Sequence, residues 1–165
     1  MKMSDVLNEI RTRVGEENLT NSCSGRNCRV DMTGIPGNRV IVNVDLAFET
    51  YARTGKHCDR ILFYEHTDQN SLVVVLIEHK GGTFDSARDI AEQLQGGANF
   101  AKNFIPMGIK IICVPILFHG SGSHKAQRDK LKRLKVGLTQ KQPVSLSKCG
   151  VPKNLVNVLS GTGNS

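Results

Sequence analysis

Tryptophan is absent from this sequence, tyrosine occurs twice and phenylalanine six times. So few stacking groups form no recognisable RNA-binding motif, and nothing in them separates RNA from DNA as a partner. Acidic residues are nearly absent from the second half. Residues 93–165 hold 11 Lys/Arg against one acid, Asp129, whereas residues 1–92 hold 11 Lys/Arg against 14 Asp/Glu. The net charge of +7 therefore sits on the C-terminal side, which points to a polyanionic partner, most simply nucleic acid. A solvated basic face is the plainer alternative. No apolar run reaches bilayer length and no signal-peptide pattern opens the chain, so no membrane partner is expected. The five cysteines (Cys23, Cys28, Cys58, Cys113 and Cys149) are odd in number and widely scattered. That speaks against a disulfide scaffold and predicts reduced thiols in a cytoplasmic protein. Cys23 and Cys28 bracket four residues, but a zinc knuckle needs a tighter first pair and a second matching one. Cys58 and Cys149 do not supply it by spacing, so small buried thiols are expected.

What is present is enough for one domain over residues 1–165, with a real core. Residues 4–18 predict an opening helix, with Ser4 as N-cap and Val6, Leu7, Ile10 and Val14 at helical spacing. Residues 20–37 read as loop. Arg39 to Asp45 alternates as a strand, and Leu46 to Arg53 predicts a short helical turn closed by Gly55. Thr83 or Asp85 would cap a helix running to Phe104, whose stripe of Phe84, Ala87, Ile90, Ala91, Leu94, Ala98 and Ala101 follows the helical period. Its small residues suggest close packing on a sheet. Gly108 to Phe118 predicts a buried strand, with Pro115 marking an edge or a bulge. A brief basic turn over Lys125–Lys132 and a hairpin from Leu134 to Leu146 follow, and Ser160–Ser165 should fray. The order predicts a mixed α/β domain on one central sheet.

The most informative stretch is Cys58 to Lys80. Two β-branched and aromatic arms flank the polar turn Thr67–Ser71, as in a strand hairpin. The second arm, Leu72 to Ile77, is apolar throughout, as in a strand buried on both faces. It ends abruptly in Glu78, His79 and Lys80. Antiparallel pairing brings Asp59, at the start of the first arm, against Glu78. Two carboxylates so placed repel unless a cation or a proton lies between them. A hard divalent ion with oxygen ligands, Mg²⁺ or Mn²⁺, suits them. Lys80 shares the face of Glu78 and can orient a water or stabilise charge on a phosphate. The His79 side chain points to the other face, but its backbone carbonyl could reach the metal. The plainer readings are a strand-end ion pair of Glu78 with Lys80, and Asp59 paired with Arg60 or Lys56.

These parts resemble the PD-(D/E)xK nuclease superfamily, on Asp59 followed by Glu78-His79-Lys80, over roughly residues 4–118. Cys58 stands where the motif's name has proline. The resemblance implies a restriction endonuclease-like core (αβββαβ, a mixed central sheet flanked by helices), here with an extra basic C-terminal β-hairpin within residues 119–159. It implies metal ligation by Asp59 and Glu78, a water-positioning Lys80 and a helix glutamine, Gln93. Many members carry a further acid on the first helix; Glu9, Glu16, Glu17, Asp45 and Glu49 are the candidates. The expected activity is a Mg²⁺-dependent endonuclease, on DNA in the first place, in a defence or repair setting by analogy. Lys125, Arg128, Lys130, Lys132, Arg133 and Lys135 would track the phosphates. An inert nucleic-acid-binding or scaffolding module on the same fold, and an RNase with the same site, are the alternatives. A small nuclease of this kind would be restrained by a homodimer, a regulatory protein partner or a specific nucleic-acid shape.

Overall fold

Alternation of apolar residues along four successive strands builds one sheet with two buried faces. In a computed structural model, which describes residues 1–82, 84, 86–120, 122 and 124–162, the chain opens with helix α1 (Met3–Val14). Strand β1 (Arg39–Asn43), helix α2 (Val44–Thr50), β2 (Arg60–His66) and β3 (Ser71–Lys80) follow. Then come α3 (Ala87–Ala101), β4 (Ile111–His119), α4 (Lys125–Leu131), β5 (Lys135–Gly137), β6 (Lys141–Pro143), β7 (Ser145–Lys148) and α5 (Asn154–Thr162). The main sheet runs β1-β2-β3-β4-β7; β1, β2 and β3 pair antiparallel, and β4 and β7 add in parallel. The expected mixed α/β architecture with a central sheet flanked by helices is therefore observed. No helix among the described residues is long and apolar enough to cross a membrane.

Period two sorts the side chains. Ile61 and Phe63 of β2 and Leu72, Val74 and Leu76 of β3 face α1 and α3. Leu62, Tyr64, Val73, Val75 and Ile77 face the other way, where Val30 and Ile35 of the long loop and Leu155 of α5 cover them. Strand β3 is thus buried on both faces from Ser71 to His79, as its unbroken apolar run predicts. Its carboxyl end carries the alternation outward: Glu78 and Lys80 toward α3, His79 toward the loop.

Helix α3 approaches the sheet closely because it carries Gly96 and Gly97. A Cβ on Gly96 would stand 1.9 Å from the Lys56 carbonyl oxygen, and one on Gly97 would stand 2.2 Å from Cys58 Sγ. Ser86 caps this helix, its Oγ accepting from Asp89 N at 3.1 Å; the expected caps Thr83 and Asp85 lie outside the described residues.

Several expectations are corrected. The cap of α1 is Lys2, without a side-chain bond, and Ser4 lies inside the helix. The strand β1 stops at Asn43, which caps α2 through its side chain, so Asp45 belongs to that helix. The C-terminal hairpin pairs β5 with β6 over residues 135–143, and the chain then turns back into the main sheet as β7. Residues 154–162 form α5; the expected fraying of 160–165 concerns in part residues outside those described. Pro115 sits one residue before the stretch of β4 that β7 pairs with, residues 116–119. At Pro115 the strand has a single neighbour, which is where a residue without an N–H is tolerated. Finally, the cysteines are not all thiols: Cys28 and Cys149 form a disulfide. This overturns the expectation of five reduced cysteines and removes Cys28 from any zinc set, while Cys23, Cys58 and Cys113 are buried thiols.

Candidate functional site

Register alone brings the acids together. Arg60 pairs with Ile77 across β2 and β3, and Asp59 N donates to the Ile77 carbonyl at 2.9 Å. One residue further, Asp59 meets Glu78. Both carboxyls are buried, Asp59 at 3% exposure and Glu78 at 0%.

Their environments differ sharply. Asp59 Oδ2 accepts from His79 N at 2.9 Å and lies 3.1 Å from His79 Nδ1. Asp59 Oδ1 is 3.1 Å from Arg26 Nε. Burial alone would raise this carboxyl, but the bonds from His79, the contact with Glu78 and the charge of Arg26 hold it well below the usual carboxylate range. Among the described residues no donor bonds either Glu78 oxygen, and Lys80 Nζ stands 3.9 Å from Oε2, too far for a bond. Burial first, then the hydrogen bond that a protonated Glu78 gives Asp59 and the Asp59 charge, push Glu78 up to about 9. At neutral pH the metal-free pair therefore carries one negative charge, with the proton on Glu78. Apart from the proton shared with Asp59, the described residues offer the Glu78 oxygens nothing, which is rare and costly for a buried carboxyl.

The remaining expected residues fall as follows. Lys80 lies on the face of Glu78 and is partly exposed. Gln93 is half-buried on α3, one turn before Gly97, and its Oε1 is also buried without a partner among the described residues. The His79 ring is fully buried between Asp59 and the Cys23 carbonyl, which Nε2 meets; it sits on the opposite face from Glu78, as the alternation requires. Among the candidate acids, Asp45 lines the same pocket as Asp59 and holds His57 Nε2 at 2.7 Å. Glu9 is paired with Arg13 on the surface of α1. Glu17 folds back against Gly15, Glu16 shares its short 3-10 turn, and Glu49 is exposed on α2.

A pocket of about 160 Å³ opens between the long loop and the start of α2, lined by Gly25, Arg26, Asn43, Asp45, Leu46, Asp59, Arg60 and His79. It reaches Asp59 and not Glu78, which lies on the α3 side. The basic series is more dispersed than expected. Helix α4 abuts the start of α3, where Gln127 Oε1 accepts from Ala87 N at 2.9 Å. Lys125 pairs with Asp129 at 2.7 Å, and Arg133 Nε donates to the Asp129 carbonyl. Lys130 and Lys135 are exposed and Arg128 is half-buried. Lys132 lines a separate groove shared with Lys110.

Arg26 is the site residue that sequence reasoning missed. It sits 33 positions before Asp59 in a loop without periodicity, and no local pattern aims it at the carboxylate. The two facing buried carboxyls suit a hard cation; among the described residues no group of three or more His, Cys, Asp or Glu gathers around one. Compared with protein families, with characterised proteins and with solved structures, the chain finds no match.

Proposed function

We propose that this chain is a divalent-metal-dependent phosphodiesterase acting on nucleic acid, DNA in the first place, on a restriction endonuclease-like core of the PD-(D/E)xK type. The observation that carries the reading is Glu78: a carboxyl to which no described residue gives a hydrogen bond, set against a second buried carboxyl and with a lysine 3.9 Å away. The element order α1, β1, α2, β2, β3, α3, β4, which is αβββαβ with the short helix α2 inserted after the first strand, and the parallel addition of β4 to β3 support it. So does a half-chain of strong positive charge.

Asp59, Glu78 and the His79 carbonyl would hold Mg²⁺ or Mn²⁺, which when bound lowers the pKa of a water and neutralises phosphate charge. The chain's own residues do the rest. Lys80 is the one partly exposed member of the motif, so its ammonium can bond an attacking water or a phosphate oxygen on the α3 side. Gln93 Oε1 has no donor among the described residues and can accept from that water. His79 fixes Asp59 by two contacts and so sets the direction of its carboxylate. Exposed lysines of the C-terminal half supply non-specific attraction for the backbone.

The test is a titration with Mn²⁺ by calorimetry, followed by plasmid and RNA cleavage with Mg²⁺ or Mn²⁺. Saturable binding lost in Glu78→Gln, with cleavage lost in both Glu78→Gln and Lys80→Met, is the expected result. Cleavage that survives both substitutions would sink the reading. One observation favours a second reading, an inert nucleic-acid-binding module. Both Asp59 oxygens are already engaged, by Arg26 and His79, and the open pocket does not reach Glu78. That module would bind DNA with strong salt dependence and take up no metal.

A further inference from the structure

The long loop between α1 and β1 brings a cation of its own to the site. Its tip is a two-residue turn in which Gly25 and Cys28 exchange both backbone hydrogen bonds, at 3.0 and 2.8 Å. The two central residues, Arg26 (φ 49°) and Asn27 (φ 59°), both have positive φ, which suits asparagine in a two-residue turn but is uncommon for arginine. The turn is wedged in place. Gly25 lies against the His79 ring, 3.1 Å from where its Cβ would stand, and the Arg26 carbonyl comes within 3.0 Å of the Cβ position of Gly81. From this tip the Arg26 guanidinium reaches Asp59 Oδ1 at 3.1 Å.

Behind the tip the loop is clamped to the far end of the chain. Cys28 is bonded to Cys149 across a sequence separation of 121. Gly150 N donates to the Arg29 carbonyl at 2.7 Å, and Asp31 N donates to Asn154 Oδ1 at 2.8 Å. A strained turn, a tether two residues away and a positive group on one acid of the pair form a single device.

We propose that Arg26 closes the Asp59 side of the divalent-cation site, and that the Cys28–Cys149 disulfide holds it closed until reduced. This rests on the metal reading above. Cys149 is only partly buried, so a small dithiol can attack its sulfur. The dithiol gives two electrons and two protons and closes to its own disulfide; the Cys28–Cys149 bond breaks, leaving two thiols. The turn then keeps its backbone hydrogen bonds, its packing on His79 and the Arg26–Asp59 contact, but loses its covalent tether. Arg26 can relax from its left-handed conformation, and Asp59 Oδ1 becomes available to a metal ion. A divalent ion and a guanidinium compete for the same oxygen, so removing either the tether or the guanidinium favours the ion.

The experiment is a calorimetric titration with Mn²⁺ alone of three samples: the oxidised chain, the dithiol-reduced chain, and oxidised Arg26→Gln. Amide exchange at Gly25 and Cys28 is followed in parallel, without metal. The expected result is about tenfold or more tighter Mn²⁺ binding in the second and third samples, a charge-assisted bond being what the ion displaces. Exchange at the two turn amides should speed up on reduction. Equal Mn²⁺ affinity in all three samples overturns the latch and leaves the Asp59–Glu78 metal reading standing. Binding in none of them, Arg26→Gln included, overturns both. Unchanged exchange at the turn on reduction overturns the disulfide's part in it, whatever the metal does.

Discussion

Replacing Glu78 by glutamine keeps the side chain's volume and removes a titrating group, so its effect on stability should depend on pH as no packing change would. In the folded, metal-free chain burial, the hydrogen bond to Asp59 and the Asp59 charge push Glu78 from 4.5 up to about 9. Between those two values the folded chain holds a proton that the unfolded chain has released. Wild-type stability from this group is therefore fully present below pH 4.5 and is lost as pH rises toward 9. Glutamine carries no such dependence. One proton is worth about 1.4 kcal/mol per pH unit, so between pH 6 and pH 8 the variant should gain about 2.7 kcal/mol on the wild type. In a chain of this length that is about 5–10 °C in Tm. Asp59, held low, titrates below its ordinary 3.8 and stays out of this window. The assay is urea or thermal unfolding of both proteins in EDTA at pH 6, 7 and 8. A stability gap that stays flat across the series would refute the buried, proton-holding Glu78. Adding Mn²⁺ at pH 8 should then stabilise the wild type, by about 2.7 kcal/mol at a hundred times Kd, and leave Glu78→Gln unmoved.

Three further outcomes are expected. Lys80→Met should change stability by less than about 1 kcal/mol, since the ammonium makes no close bond, yet lower plasmid cleavage at least about a hundredfold; full activity would remove Lys80 from the chemistry. Gly96→Ala should cost at least about 1–3 kcal/mol in urea unfolding, because its Cβ meets a backbone carbonyl that cannot move aside. Gly97→Ala meets Cys58 Sγ instead, so Cys58→Ala in the same chain should recover part of the loss; no recovery would mean that α3 is held off by something else. Neutralising Lys125, Lys130, Lys132, Arg133 and Lys135 together should lower the slope of log affinity for DNA against log salt by about 0.9 for each phosphate contact removed. An unchanged slope would make these residues a solvated face.

The parts of the molecule that short-range chemistry determines were legible in the sequence. Leu72 to Ile77 could only be a strand covered on both sides, and the period of two then placed Glu78 and Lys80 together with His79 turned away. The hairpin register put Asp59 opposite Glu78, and the small residues in the stripe of α3 suggested a helix lying close on its sheet, although Gly96 and Gly97, which make the closest approach, were not singled out. Pro115 marked the place where β4 has one neighbour. What was not legible depends on residues far apart in the chain. Nothing near Cys28 points to Cys149, and nothing near Arg26 points to Asp59. The parallel pairing of β7 with β4 has no turn to announce it, and the four residues of β7 are too short for a clear alternation. Asp45 was misplaced because Val44 continues the apolar run of β1, whereas the Asn43 side chain, accepting from Leu46 N at 3.4 Å, starts a helix there. That shift of one element is what carries Asp45 to the rim of the Asp59 pocket.

The anchoring of the Arg26 loop also has a consequence for the order in which the chain would assemble. Strands β1 to β3 pair through neighbouring segments, and β4 joins them after one helix, so these four strands close without help from the last third of the chain. The loop that precedes β1 is different. Its crosslink to Cys149, the Gly150 bond to Arg29 and the Asn154 bond to Asp31 all come from residues 149–154. Contacts between such distant segments form late, after the loop-closure entropy has been met by the rest of the fold. During synthesis from the N-terminus, the acids at the ends of β2 and β3 are in place while Arg26 is still untethered. On the latch proposed above, the acid pair would stand open to a cation until residues 149–154 dock, and the guanidinium would close over Asp59 only then.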